Sequence, residues 1–232
     1  MAAERHIVGL GGGGDTPEQT LRLYEHVLSL TGKERPRLLY LPTAVGDAVE
    51  AVAQFYERFA PRAEASVMRM FPWPPRDLRD VILAQDAILV SGGNTANMLA
   101  VWRVHGIDAA LREAWENGVV LFGASAGMIC WFEAGVTDSF GPQLEGMRDG
   151  LGFLAGSACP HYDDEELRRP VYRRLVDEGF PPGYAADSGV GLHFVGTELH
   201  EVVAAVPGAR GYRVEQSAGG AEETPLPARQ LA

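Results

Sequence analysis

A serine set among small residues, Gly123-Ala124-Ser125-Ala126-Gly127, follows the apolar run 119–122 and precedes a second apolar run. A strand that turns sharply into a helix holds its middle residue in a strained conformation, and bulky neighbours would clash there. The hydroxyl then projects from the sheet edge, where backbone N–H groups can stabilise an oxyanion. This is the chemistry of acyl transfer by a nucleophilic serine. A tight turn without any reaction is the competing reading.

A nucleophilic serine needs a base, and the chain offers six histidines. His6 precedes a strand, His26 lies within a helix, and His105 stands before the helix-ending Gly106. His193 falls in an apolar strand and His200 in a turn-like segment. His161 differs: it follows Ser157-Ala158-Cys159-Pro160 and opens the loop Tyr162-Asp163-Asp164-Glu165. That puts it at the carboxyl end of a strand, on the rim expected for Ser125. The order of parts excludes an α/β-hydrolase, whose acid comes between serine and histidine, because His161 follows Ser125 by only 36 residues.

The elements that must position these residues alternate strand and helix. Strands are expected at 6–10, 37–41, 65–70, 87–90 and 119–122, with helices at 17–31, 47–59, 78–83, 96–104 and 107–117. Thr16, Pro17 and Gln19 make a capping box at the first helix. Short, wholly apolar strands between helices imply a doubly wound, mostly parallel α/β sheet covered on both faces. Ligands bind such sheets outside the carboxyl ends of the strands. Three glycine-rich loops fall there, at 11–14, 91–93 and 123–127. Beyond residue 135 the pattern loosens into short strands, some antiparallel, around an arginine-rich surface helix at 165–178. The reading is one domain over 1–215 with a mobile tail over 216–232.

Ser91-Gly92-Gly93-Asn94-Thr95, Gly123-Ala124-Ser125-Ala126-Gly127 and Pro160-His161, in this order and spacing, resemble peptidase family S51, which includes dipeptidase E and cyanophycinase. The resemblance implies a fold similar to class I glutamine amidotransferases. It implies Ser125 as nucleophile, His161 as base, and the backbone N–H groups of Gly93 and Ala126 as the oxyanion hole. The residues agree: Gly93 has no side chain to block an approach, and Ala126 follows the nucleophile. For the acid that orients His161, the resemblance points to Asp187, at the end of a later strand. Asp138 and Asp163 are alternatives, and each of the three could simply cap a turn. Asn94 could touch substrate or cap a helix. Arg168 and Arg169 could bind a substrate carboxylate, as an arginine after the histidine does in dipeptidase E, or lie on a solvated face.

The bulk composition bounds the rest. A net charge of −11 and a pI near 5.0 disfavour nucleic acid and anionic membranes as partners. The start lacks a signal-peptide pattern, and no apolar run reaches a membrane span. Two distant cysteines, Cys130 and Cys159, fit a reducing cytoplasm. No cofactor and no metal are expected, since the histidines lack a ligand spacing such as His-Glu-x-x-His. The partner is a small peptide substrate, and a homo-oligomer is compatible with the sequence. The function expected is hydrolysis of short peptides through a Ser-His-Asp triad. The alternatives are a silent ligand-binding or regulatory protein on the same fold, and a nucleotide binder using Gly11–Gly14, which lacks a P-loop lysine.

Overall fold

The computed structural model describes residues 4–232. Its first half follows the expected alternation: β1 (His6–Leu10), α1 (Pro17–Ser29), β2 (Arg37–Leu41), α2 (Val49–Phe59), β3 (Glu64–Val67), α3 (Leu78–Leu83), β4 (Ala87–Val90), α4 (Thr95–His105), α5 (Ile107–Glu116) and β5 (Val120–Ala124). The second half contains α6 (Ala126–Ile129), β6 (Phe132–Thr137), β7 (Glu145–Met147), β8 (Leu154–Cys159), α7 (Arg168–Asp177), β9 (Gly183–Ala186), β10 (Val190–Val195), β11 (Glu198–Ala204), β12 (Gly211–Ser217), β13 (Gly220–Leu226) and β14 (Ala228–Gln230).

The strands form two sheets. The larger runs β14-β11-β10-β1-β5-β4-β2-β3, parallel from β1 through β3 and antiparallel where β10 meets β1 and β11. One face packs on α1 and α2 through Leu23, Val27, Phe55 and Phe59. The other packs on α3, α4 and α5 through Ile82, Leu99, Trp102 and Leu111. This is the doubly wound architecture that the alternation implies, and it agrees with the amidotransferase-like fold that the resemblance to family S51 implies. The second sheet, β13-β12-β9-β8-β6-β7, mixes parallel and antiparallel pairs and buries Tyr162, Tyr172 and Val176 against α7. The short apolar strands after residue 135 do not by themselves announce a separate sheet.

Local signals explain the boundaries. Thr16 accepts from the Gln19 N–H while Gln19 accepts from the Thr16 N–H, completing the capping box of α1. Gly106, at φ 71°, ends α4 in the left-handed conformation and lets α5 restart at once.

Residues 216–232 are not a free tail. Ala218-Gly219 is the two-residue turn of a hairpin that pairs β12 with β13 over its full length. β14 then adds in parallel to β11, and the Leu231 N–H donates to Ala204. The polar Glu-Glu-Thr-Pro stretch reads as a tail because β13 is an edge strand, where charge and proline are tolerated.

Asp86 ties the amino ends of the central strands together. Its carboxylate accepts from the Arg37 N–H at 2.8 Å, from Lys33 Nζ at 2.8 Å and from Arg37 Nη2 at 3.1 Å. Burial alone would raise its pKa, but these donors outweigh it and lower the group from 3.8 to about 2. A depressed carboxylate contributes stability above its unfolded pKa and loses it as pH falls through the folded one. Asp86→Asn is therefore expected to cost about 1–2 kcal/mol at pH 7, allowing for the half-exposed cations. In urea titrations the difference from wild type should fade between pH 3.8 and 2. A constant difference across that range would refute the assignment.

Candidate active site

Ser125 sits between β5 and α6 at φ 58°, ψ −115°, a conformation that serine adopts only under constraint. Two close approaches impose it. A Cβ on either Gly123 or Gly127 would lie 2.5 Å from the Val90 carbonyl oxygen of β4. Only glycine lets the chain pass so near that strand on both sides of the turn. The Ser125 N–H donates to the Leu10 carbonyl at 3.2 Å, which pins the turn to the end of β1. Gly92 packs on the serine itself: a Cβ there would stand 3.3 Å from Ser125 Cβ and 3.9 Å from Oγ. The hydroxyl makes no hydrogen bond among the described residues.

Gly93 follows at φ 121°, exposed, with its backbone against Ala44. Its N–H meets no backbone acceptor among the described residues, as an oxyanion donor requires. Ala126 is the first residue of α6, which is only four residues long. Any oxyanion stabilisation there comes from individual N–H groups rather than from a helix dipole. Asn94 is engaged at both polar atoms: Oδ1 accepts from the Asn97 N–H at 2.8 Å, capping α4, and Nδ2 donates to the Ser139 carbonyl at 2.9 Å. The cap explains Asn94, and its amide keeps a second N–H.

His161 lies just past β8 at φ 54°. Its N–H donates to the Gly11 carbonyl at 2.9 Å, and the next N–H, of Tyr162, donates to Ala186 at 3.1 Å. The histidine is thus clamped between the loop after β1 and the end of β9. The tetraglycine loop supplies the room. A Cβ on Gly12 would lie 3.1 Å from His161 Nδ1 and 2.3 Å from Ser188 Oγ, and one on Gly11 would lie 2.3 Å from the Asp187 carbonyl oxygen. Gly11 and Gly12 serve the histidine, which accounts for them without a phosphate. His161 and Ser125 share no hydrogen bond of 3.5 Å or less in this state.

The groups facing the imidazole are not the three aspartates singled out from sequence. His161 Nδ1 is 3.5 Å from Asp164 Oδ1 and 3.5 Å from Ser188 Oγ. Ser188 Oγ donates to Asp164 Oδ2 at 2.8 Å, and Asp163 accepts from the Ser188 N–H at 2.8 Å. Asp187 turns elsewhere: Oδ2 accepts from the Arg210 N–H at 2.9 Å and from Tyr212 Oη at 3.3 Å. Its Oδ1 is buried with no partner among the described residues, and burial raises its pKa. Asp138 is exposed on the loop after β6. Asp164 and Ser188 carry no motif of their own. Only the i, i+3 spacing of Asp164 from His161 hinted at the contact.

The two arginines are also committed. Arg168 is 3% exposed, with Nε on Glu165 at 2.6 Å and Nη1 on the Val136 carbonyl at 2.8 Å. It is neither a solvated face nor a free ligand for a carboxylate. Arg169 pairs with Glu223 of β13 and lies over the rings of Tyr162 and Tyr212 at 5.0 and 4.9 Å. Among the other histidines, His193 is buried, and desolvation pushes it down to about 4. It contacts His6 at the opposite end of β1 from the Ser125 turn.

The family model for peptidase family S51 matches residues 7–202. The chain is 45% identical over 230 residues to the uncharacterized peptidase YgaJ of Bacillus subtilis (strain 168), covering 98% of this chain and 99% of that one. It is 26% identical over 134 residues to the pyridoxal 5'-phosphate synthase subunit PdxT of Thermococcus onnurineus (strain NA1), covering 58% and 56% of the two chains. Among solved structures it is similar to a peptidase from an acI-B1 actinobacterium, with a TM-score of 0.67, 19% identity, and 98% and 96% of the chains covered. It is also similar to a putative peptidase E protein from Listeria monocytogenes EGD-e, with a TM-score of 0.63, 17% identity, and 85% and 98% covered. No helix among the described residues is long and apolar enough to cross a membrane. The serine turn between two forced glycines and the histidine on the same rim thus belong to a member of peptidase family S51.

Proposed function

We propose that the protein hydrolyses short peptides, with Ser125 as nucleophile and His161 as general base. Ser125 Oγ attacks the scissile carbonyl carbon, and His161 takes the hydroxyl proton. The Gly93 and Ala126 N–H groups receive the developing oxyanion. The imidazolium then gives its proton to the leaving amine, and a water repeats the sequence to release the acid. Substrate must draw Ser125 and His161 together, as apo sites often leave catalytic hydrogen bonds long. The observation that carries this reading is the constrained backbone of Ser125, φ 58° and ψ −115°, with an uncommitted hydroxyl beside Gly92.

Asp164, with Ser188, is proposed to orient His161, because these are the groups at Nδ1. A second reading gives Asp187 that role, favoured by its buried, unpartnered Oδ1, which an imidazole N–H could satisfy after a rotation of His161. The cytoplasm is the compartment that fits the two buried, unpaired cysteines.

Ser125→Ala is expected to lower kcat by about 10⁴-fold with the circular dichroism spectrum unchanged. A folded variant retaining most of its activity would end the proposal. For the orienting acid, kcat/KM on one dipeptide should be compared across Asp164→Asn, Asp187→Asn, Asp163→Asn and Asp138→Asn. Asp164→Asn should cost about 10-fold or more at unchanged melting temperature, a moderate loss because the carboxylate is half-exposed. A larger, purely kinetic loss in Asp187→Asn, with Asp164→Asn near wild type, would transfer the role to Asp187.

Recognition of a substrate carboxylate by the arginines after the histidine is not part of this reading. Arg169→Gln should leave the ratio of kcat/KM between aspartyl and alanyl dipeptides unchanged. Arg168→Gln should lower the melting temperature instead, since it abandons the buried Val136 carbonyl. A selective loss of aspartyl substrates in Arg169→Gln would contradict it.

A further inference from the structure

Four of the six histidines gather far from the catalytic rim. His6 opens β1, His26 lies on α1, His193 on β10 and His200 on β11. Glu201 stands directly across from His193 in the β10–β11 register. Its Oε1 is 3.5 Å from His26 Nε2 and 3.5 Å from His193 Nδ1. Both separations are too long for good hydrogen bonds. His26 Nε2 is nonetheless fully buried, with no hydrogen-bond partner among the described residues. The three ligand atoms lie within 4.8 Å of one another. One carboxylate oxygen thus faces two imidazole nitrogens, with a single long hydrogen bond to His193 Nδ1 and an orphaned His26 Nε2, which is too loose to satisfy all three as a hydrogen-bond network.

The same three atoms suit a coordination shell. Bonds of about 2.1 Å to a tetrahedral zinc ion set ligand atoms about 3.4 Å apart. We propose that His26 Nε2, His193 Nδ1 and Glu201 Oε1 bind a zinc ion, with solvent as the fourth ligand. The surroundings match a second shell. His193 Nε2 lies 3.0 Å from His6 Nδ1, so a His193 ligating through Nδ1 can donate its other N–H to His6. Arg229 of β14 holds Glu201, with Nε on Oε2 at 2.9 Å and Nη2 on Oε1 at 3.1 Å. His200 packs edge-on against His193 at 5.4 Å, and Glu4 reaches His6 at 3.7 Å. The cation joins α1 to β10 and β11, so its role is structural. His193 pairs across from Val8 in the middle of β1 and turns toward His6 at its amino end, whereas Ser125 is pinned to Leu10 at the carboxyl end.

The test uses tag-free protein stripped with chelator and then titrated with zinc or cobalt(II) at neutral pH. One metal per chain should bind, zinc should raise the melting temperature, and cobalt should give the intense visible bands of a tetrahedral site. His26→Gln and Glu201→Gln should each abolish stoichiometric binding, and Arg229→Gln should weaken it about 10-fold while keeping one site. Peptide hydrolysis should be the same in stripped and zinc-loaded protein, so the outcome does not depend on the catalytic assignment. Absence of stoichiometric binding, a weak octahedral cobalt spectrum, or binding retained in both His26→Gln and Glu201→Gln would overturn the site. Should His26→Gln fail to fold, the wild-type cobalt spectrum and Glu201→Gln decide.

Discussion

The carbonyl oxygen of Val90 is the fixed point around which the candidate active site is built. Gly123 and Gly127 both pass it so closely that a Cβ on either would stand 2.5 Å away. That double approach forces the chain to reverse within one residue, and Ser125 absorbs the reversal at φ 58°. Strain of this kind costs about 1–3 kcal/mol and persists only where the surroundings over-determine it. Here they do: the strand pairs β1–β5 and β4–β5 hold both flanks, and Leu10 accepts the serine N–H.

The same logic extends to the histidine. β1, β5 and β4 are adjacent in the sheet, so their three glycine-rich loops emerge side by side. Gly92 makes room for Ser125, Gly11 for the backbone of Ala186 and Asp187, and Gly12 for Ser188 and His161. His161 comes from the second sheet yet reaches this rim because its N–H is anchored on Gly11. The second sheet therefore delivers the proposed base, and the hairpin of β12 and β13 braces it through Glu223, which engages Tyr162 and Arg169.

Much of this was legible in the sequence, for identifiable reasons. The strands β1, β2 and β4 are short apolar runs ended by turn residues, and the α1 capping box is a local signal. The serine turn is legible because its glycines are demanded by a contact that only glycine permits. What was not legible depends on distant pairing. The polar edge strand β13 looks like a tail until β12 is placed beside it. Arg168 looks exposed in sequence, yet it is buried against the Val136 carbonyl, 32 residues away. The contacts at His161 Nδ1 come from Asp164, in a charged loop, and from Ser188, near Asp187. The cluster of His26, His193 and Glu201 is drawn from three elements, so no ligand spacing reveals it.

The proposed mechanism needs Ser125 to be a nucleophile rather than the apex of a tight turn. The most direct measurement is reaction with a fluorophosphonate, followed by intact-mass and peptide mass spectrometry. One adduct per chain is expected, on Ser125, absent in Ser125→Ala and strongly slowed in His161→Gln. An unlabelled but folded protein, or an adduct on another residue that survives Ser125→Ala, would contradict the mechanism.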